Sequence, residues 1–144
     1  MGIRSEFDSL IELVYLPPDT PEKEPINACA ELATQQMERY FDNPGYQFDL
    51  PLAQRGTAFQ HKVWRAISEI PAGQVSTYGR IAKQIASAPR AVGQACGANF
   101  FPLVIPCHRV TAANGLGGFG NQDNEDSYQV KIKRWLLNHE GVRY

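Results

Sequence analysis

At 144 residues, with 43% hydrophobic composition and a formal net charge of −1, the chain has room for one compact domain with a small appended lobe and is too short for several large ones. No apolar run approaches the roughly 20 residues that a bilayer span needs, and Met1 to Glu6 offers charges but no apolar signal-peptide core, so a soluble cytoplasmic protein without membrane contact is expected. The three cysteines, Cys29, Cys96 and Cys107, are odd in number, widely spaced and free of any CxxC pair, which argues against a disulfide framework or a zinc knuckle.

Phe7 to Leu16 (FDSLIELVYL) is rich in apolar and β-favouring residues and stops at Pro17-Pro18, which reads as a short strand or an unsettled apolar segment. After the Pro- and Glu-rich stretch Pro17 to Pro25, the positions Ala30, Leu32, Ala33, Met37 and Tyr40 fall near helical spacing. They predict a helix over 26–41, ended by Asn43-Pro44-Gly45. Thr57 to Ile70 predicts a second helix: Thr57 caps it, Phe59, Val63, Trp64, Ala66, Ile67 and Ile70 form an apolar face, and Pro71-Ala72-Gly73 closes it.

Ser76-Thr77-Tyr78 then leads into Ile81, Ala82 and Ile85 at helical spacing, a break falls at Ser87-Ala88-Pro89, and a further helical stretch runs from Arg90 to about Asn99. Two short helices joined by a tight turn are the signature of a helix-turn-helix. The second contains Ala91, Gly93, Ala95, Gly97 and Ala98, although each glycine inside a helix costs about 1 kcal/mol relative to alanine. Such small side chains suit close approach of another surface, either DNA or a neighbouring helix. Phe101 to Val110 is an apolar segment interrupted by Pro106 and Cys107, and Thr111 to Asp126 is a loop rich in Gly and Asn. Tyr128 to His139 is a final amphipathic helix carrying Val130, Ile132, Trp135, Leu136 and Leu137, with Gly141 at its stop.

The charges are unevenly spread along this order. Residues 1–50 carry ten acids against three bases, Arg4, Lys23 and Arg39. Residues 51–110 carry seven bases (Arg55, Lys62, Arg65, Arg80, Lys83, Arg90, Arg109) against the single acid Glu69, the footprint of a surface that faces phosphates.

Leu103 to Val110 (LVIPCHRV) places a thiol beside an imidazole and a guanidinium at the end of an apolar run. Thiolate, not thiol, is the nucleophile, and a cysteine of ordinary pKa is only slightly ionised at neutral pH, so a base or cation must supply the reactive form. His108 or Arg109 can do so. Adjacent residues of an extended chain point to opposite sides, so Cys107 and His108 need a turn, or a bridging water, to communicate. On the residues alone a buried structural cysteine is the competing reading.

The string Pro106-Cys107-His108-Arg109-Val110 resembles the acceptor-cysteine motif of the O6-alkylguanine-DNA alkyltransferase family. The resemblance extends from about Phe48 (FDLPLAQRGTAFQHKVWRAISEIPAGQVSTYGRIA) through Arg90-Ala91-Val92-Gly93 and Asn99 to Trp135-Leu136-Leu137-Asn138-His139-Glu140-Gly141. It implies irreversible transfer of a methyl or other alkyl group from O6-alkylguanine in double-stranded DNA to the protein's own thiol, by a monomer that needs no cofactor or metal. Cys107 resembles the alkyl acceptor, His108 the base that acts through a water, and Glu140 the carboxylate that orients that histidine. A carboxylate partner fixes an imidazole's tautomer and stabilises the imidazolium, which gives the set the logic of a triad. A thioether is a poor leaving group, so one turnover is expected.

Tyr78 resembles the tyrosine that helps rotate the target nucleotide and contacts the base, and Arg90 the arginine that fills the space left by the extruded guanine. Extrusion is required because the O6 substituent lies inside the duplex. The family's recognition helix enters the minor groove, which suits Ala91, Gly93, Gln94, Ala95 and Gly97 as DNA-facing positions. Asn99 resembles the hinge asparagine before the Cys107 segment, and the main-chain carbonyls of Cys107 and Val110 correspond to those that read the guanine amino group. Arg109 is assigned to structure.

Two features depart from the family pattern. Gly118-Phe119-Gly120 runs into Asn121-Gln122-Asp123-Asn124-Glu125-Asp126-Ser127, longer and more acidic than the usual lid over the base pocket, which alters the fit of alkyl groups or weakens DNA affinity by like-charge repulsion. The N-terminal lobe, over 1–50, is short, and nothing in Met1 to Asp49 supplies a Cys and His cluster for zinc. Cys29 and Cys96 read as buried small hydrophobes. Three rivals frame the reading: a lesion binder without transfer, opposed by the presence of Cys107; a helix-turn-helix regulator, opposed by a second helix with mainly Gln94 to read base edges; and a cysteine hydrolase, opposed by the want of an oxyanion loop. The expected architecture is α/β (α+β), with a reduced lobe over 1–50 and a mainly helical domain over 51–144 that holds the helix-turn-helix beside the thiol.

Overall fold

A computed structural model describes residues 1–119 and 122–144, and among them mixes five helices with two small two-stranded sheets. β1 (Gly2–Glu6) and β2 (Ser9–Val14) form an antiparallel hairpin. The apolar run that starts at Phe7 is therefore a strand only from Ser9. Phe7 occupies the hairpin turn with φ of 54° and is 96% exposed. The register moves from Arg4↔Glu12 to Ser5↔Leu10, so Ile11 is a bulge residue. Strict alternation would send Leu10 and Leu13 to opposite faces; the extra residue turns both into the core, where they are fully buried. The outer edge of β2 is tied to later chain by Leu10 N–H to Pro51 O at 2.7 Å, Ala53 N–H to Leu10 O at 2.8 Å and Leu13 N–H to Phe100 O at 2.8 Å.

α1 (Ala28–Asp42) starts where Asn27 accepts from the Ala30 amide, satisfying one of the donors every helix start leaves open. Ala30, Ala33, Met37 and Tyr40 form its buried stripe, whereas Ile26, two residues before its start, is exposed. α2 (Ala58–Ser68) begins on the predicted Thr57 cap, reinforced by Gln60 into a capping box, and buries Val63, Trp64, Ala66 and Ile67. β3 (Ser76–Thr77) pairs in parallel with β4 (Val110–Thr111).

α3 (Tyr78–Gln84) and α4 (Pro89–Gly97) make the helix-turn-helix. Pro89 opens α4 rather than breaking the chain before it, since a first helical position needs no amide donor. The small residues of α4 divide between two tasks. Ala95 is buried and its carbonyl accepts from the Trp64 indole at 2.8 Å, while a Cβ placed on Gly93 would meet nothing within 4 Å. α5 (Tyr128–His139) is capped by Ser127 and buries Val130, Lys133, Leu136 and Leu137; Trp135, expected on its apolar face, is 52% exposed.

One apolar cluster gathers Val63, Trp64, Ile67, Ile81, Val92, Cys107 and Val110 from the helix-turn-helix and its support. A second joins Leu10, Leu13, Ala33, Met37 and Tyr40 to Phe101, Leu103 and Leu136, so the early residues share a core with the segment that leads to Cys107.

Candidate active site and nucleic-acid interface

The turn that Cys107 and His108 require is present. Cys107, His108 and Arg109 form a single 3-10 turn, closed by the Val110 N–H to the Cys107 carbonyl, and both Cys107 and His108 are buried. The turn is held from α4's side by Asn99, whose Nδ2 donates to the Ile105 carbonyl at 2.9 Å and to Cys107 Sγ at 3.2 Å, while its Oδ1 accepts from the Phe101 amide at 2.8 Å. From the other side the turn is held by the last residue of α5's terminus. Glu140 is the C-cap, and Gly141, with φ of 88°, lets the chain turn away with the Val142 amide returning to Leu137 O.

Glu140 collects three side chains. His108 Nε2 lies 2.8 Å from Oε2, Arg109 donates through Nε to Oε1 at 2.8 Å and through an Nη to Oε2 at 3.0 Å, and the Tyr40 hydroxyl donates to Oε2 at 2.5 Å. A second Nη of Arg109 reaches the Ile70 carbonyl at 2.7 Å. Burial alone would raise the Glu140 carboxyl, but hydrogen bonds from His108 and Arg109, with the charge of His108 and the Tyr40 bond, hold it down at about 2. It is thus a carboxylate at any ordinary pH. His108 is pushed below its usual value by burial, against the pull of Glu140. With Nε2 committed to a carboxylate, the proton belongs on Nε2 and the lone pair on Nδ1. Nδ1 is buried and has no hydrogen-bond partner among the described residues.

The Cys107 thiol is raised well above its ordinary range, first by the neighbouring Cys96 side chain and then by burial, with Asn99 and the Lys133 ammonium acting in the opposite direction. It rests as a thiol and needs a base.

Cys107 lies on the wall of an open cavity of about 470 Å³ that Tyr78, Arg90, Gly93, Gln94, Cys96 and Phe119 also line, together with Gln122 and Asp123 of the long lid. The Tyr78 hydroxyl bonds the Gly118 carbonyl at 3.3 Å. Gly120 and Asn121, part of the lid read from sequence, lie outside the described residues. Ala91 and Gln94 face a second hollow beside α2, with Thr57, Phe59 and Gln60. Ala95, expected to face DNA, is instead buried, and Val110 sits fully buried behind the turn. Of the seven bases in 51–110, Arg55 and Arg109 are spent internally: Arg55 bonds Ile11 O and lies 4.0 Å over the Phe100 ring. Lys62, Arg65, Arg80, Lys83 and Arg90 remain exposed.

Two residues at the site were not legible beforehand. Tyr40 arrives from α1, a hundred positions before Glu140. Lys133 is fully buried, donates to Gly118 O at 2.8 Å and to the Tyr78 hydroxyl at 3.4 Å, and is pulled down to about 8 by burial. A signal for Lys133 existed: it falls three residues after Val130 and four before Leu137, on the apolar stripe of α5. No group of three or more His, Cys, Asp or Glu among the described residues is arranged to hold a metal, and no helix there is long and apolar enough to cross a membrane.

Residues 58–142 match the family described as 6-O-methylguanine DNA methyltransferase, DNA binding domain. The constitutive methylated-DNA–protein-cysteine methyltransferase of Bacillus subtilis is 42% identical over 129 residues, covering 88% of this chain and 73% of the relative. Among solved structures, Mycobacterium tuberculosis OGT in complex with DNA superposes with a TM-score of 0.77 at 35% identity, covering 96% of this chain and 85% of that one. S. pombe Atl1, in complex with damaged DNA containing O6-carboxymethylguanine, superposes with a TM-score of 0.50 at 34% identity, over 62% of this chain and 82% of that one.

Proposed function

The chain belongs to the 6-O-methylguanine DNA methyltransferase family, and from that premise we propose that it repairs DNA by moving the alkyl group of O6-alkylguanine irreversibly onto its own Cys107. The observation that carries this reading is Cys107 on the cavity wall, in one tight turn with His108, which is bonded to the ionised Glu140. His108 Nδ1 takes the thiol proton through a water, and Glu140 stabilises the imidazolium that results. The thiolate attacks the alkyl carbon, the carbon–sulfur bond forms as the carbon–O6 bond breaks, and guanine leaves with the electron pair and takes up a proton. The thioether is not displaced again, so each chain acts once.

Residues 51–144 bind DNA and accept the alkyl group, and residues 1–50 buttress the site. The exposed bases Arg80, Lys83 and Arg90 of the helix-turn-helix face phosphate, Arg90 from the rim of the cavity. α4 enters the minor groove, Gly93 and Gln94 at its surface, with Arg90 filling the stack while Tyr78 contacts the extruded base. Asn99 is a positioning residue that fixes the turn and favours the thiolate through its hydrogen bond to sulfur. The chain acts as a monomer.

The test is intact mass after incubation with a duplex containing O6-methylguanine, beside Cys107→Ala. A gain of one methylene in the native chain alone, saturating at one per chain, supports the reading. Tight lesion-selective binding with no mass gain overturns it and leaves a lesion binder.

A further inference from the structure

Two thiols face the base cavity, and alkyl transfer uses one of them. Cys96 lies in the last turn of α4, half-buried, and lines the same cavity as Cys107. It packs against the apolar cluster to which Cys107 belongs. Cys29 sits elsewhere, with Leu10, Leu13 and Met37 in the other cluster. Cys96 is therefore not the fully buried hydrophobe expected from the sequence, and it shares a cavity wall with Cys107.

We propose that Cys96 and Cys107 close into an intramolecular disulfide by exchange with low-molecular-weight disulfides such as oxidised glutathione, so that the acceptor cysteine is also a reversible thiol–disulfide site. The exchange chemistry is independent of the alkyl-transfer reading; only its consequence, a form that cannot accept an alkyl group, rests on that reading.

Exposure sets the order of steps. Cys107 is 3% exposed and Cys96 is the more open of the two. The Cys96 thiolate attacks one sulfur of the small disulfide, whose S–S bond breaks, and one small thiolate leaves with the electron pair. Cys107 then gives up its proton and its sulfur attacks Cys96 Sγ in the mixed disulfide. The Cys96–Cys107 bond forms and the second small thiolate leaves. Two protein thiols are oxidised, one small disulfide is reduced to two thiols, and the two protons lost by the protein end on them. A disulfide needs sulfurs about 2.05 Å apart, and the cavity that both residues line gives their side chains room to rotate. A dithiol reductant reverses the exchange.

The experiment is to incubate the full chain with oxidised glutathione, quench with acid, alkylate free thiols under denaturing conditions and digest with trypsin. No Lys or Arg lies between Arg90 and Arg109, so Cys96 and Cys107 leave in one peptide, residues 91–109, apart from Cys29. The expected result is a peptide lighter by two hydrogens, with no glutathione retained and the free thiols falling from three to one. Methyl transfer falls in proportion to the oxidised fraction and returns with dithiothreitol. Cys107→Ala is expected to keep one glutathione on Cys96, and Cys96→Ala to lose the fast phase of reaction. A native chain that retains glutathione, keeps all three thiols or forms disulfides between chains overturns the proposal. These outcomes are read on the native chain by mass, so a variant that folds poorly does not blur them. Absence of methyl transfer by the reduced chain would count against the repair function and leave the mass result intact.

Discussion

The Tyr40 hydroxyl and His108 Nε2 meet on the same oxygen, Oε2 of Glu140, at 2.5 and 2.8 Å. Tyr40 comes from α1 and Glu140 from the end of α5, so the short N-terminal part of the chain reaches the carboxylate that holds the Cys107–Arg109 turn. Tyr40→Phe removes a donor from a buried carboxylate, a loss worth about 1.5–3 kcal/mol for a bond to a charged group. Urea unfolding is expected to show a destabilisation of that order. Methyl transfer is expected to persist at a reduced rate, because the His108 and Arg109 bonds remain; a variant as stable as the native chain would remove Tyr40 from the network.

Acid should unfold the protein through this same cluster. The Glu140 carboxyl is held at about 2 against an ordinary 4.5, so the unfolded chain binds its proton first as pH falls. Its contribution, on the order of 3 kcal/mol from that difference, is fully present above about pH 4.5 and is lost as pH falls toward 2. His108 acts in the same direction from a higher pH: burial lowers it below 6.5, so the unfolded state takes up the proton more readily below that value. Stability followed by chemical denaturation should therefore decline from about pH 6.5 downward and steepen below 4.5. In Glu140→Gln the steep acid limb is expected to vanish, with lower stability at neutral pH; an unchanged acid limb would place the linkage elsewhere.

The helices were legible because their ends are written locally. Thr57 carries the cap that α2 uses and Gly141 supplies the left-handed stop of α5, whereas α1 starts two residues later than the expected 26, where Asn27 caps it. β1 was not legible, because Gly2 to Glu6 has no apolar alternation and owes its conformation to pairing with β2. Nor was the inward turn of both Leu10 and Leu13, which a bulge decides. At the site, a motif names Cys107 and His108, but nothing along the chain tells which distant tyrosine shares a carboxylate or that two cysteines eleven positions apart line one cavity. Those are facts of packing.

Lys133 offers a test in which stability and reactivity separate. Burial pulls its ammonium down to about 8 from 10.5, while its charge favours ionisation of Cys107. Between pH 8 and 10.5 the unfolded chain binds more protons, so stability should rise with pH across that window. Burying an ammonium that no carboxylate pairs among the described residues is costly, and an apolar side chain of similar length removes that cost. Lys133→Met is expected to gain about 1–2 kcal/mol at pH 7 after losing the bonds to Gly118 O and the Tyr78 hydroxyl, and to lose the alkaline rise. Its methyl transfer is expected to slow by about tenfold or more, since the thiolate loses a nearby cation. Single-turnover rates beside thermal melts at pH 7 and pH 9.5 decide this; a destabilised variant with an unchanged rate would refute both halves.

The turn between α3 and α4 ends one helix with an unfavourable residue. Ala86 has φ of 55°, its amide reaches Lys83 O at 3.4 Å, and the Ser87 amide reaches Ala82 O at 2.8 Å. This is the double bond pattern of a helix stop whose left-handed position is usually glycine, as it is at Gly141. Alanine pays roughly 1–2 kcal/mol for that conformation, whereas glycine adopts it freely and loses about 0.5–1 kcal/mol to the greater freedom of its unfolded chain. Ala86→Gly is therefore expected to raise stability by about 0.5–1 kcal/mol. The side chain is exposed and lies outside the base cavity, so the methyl-transfer rate should not change. A melt at or below that of the native chain would mean that the turn is not left-handed in solution. A change in rate at unaltered stability would mean instead that Ala86 touches the DNA.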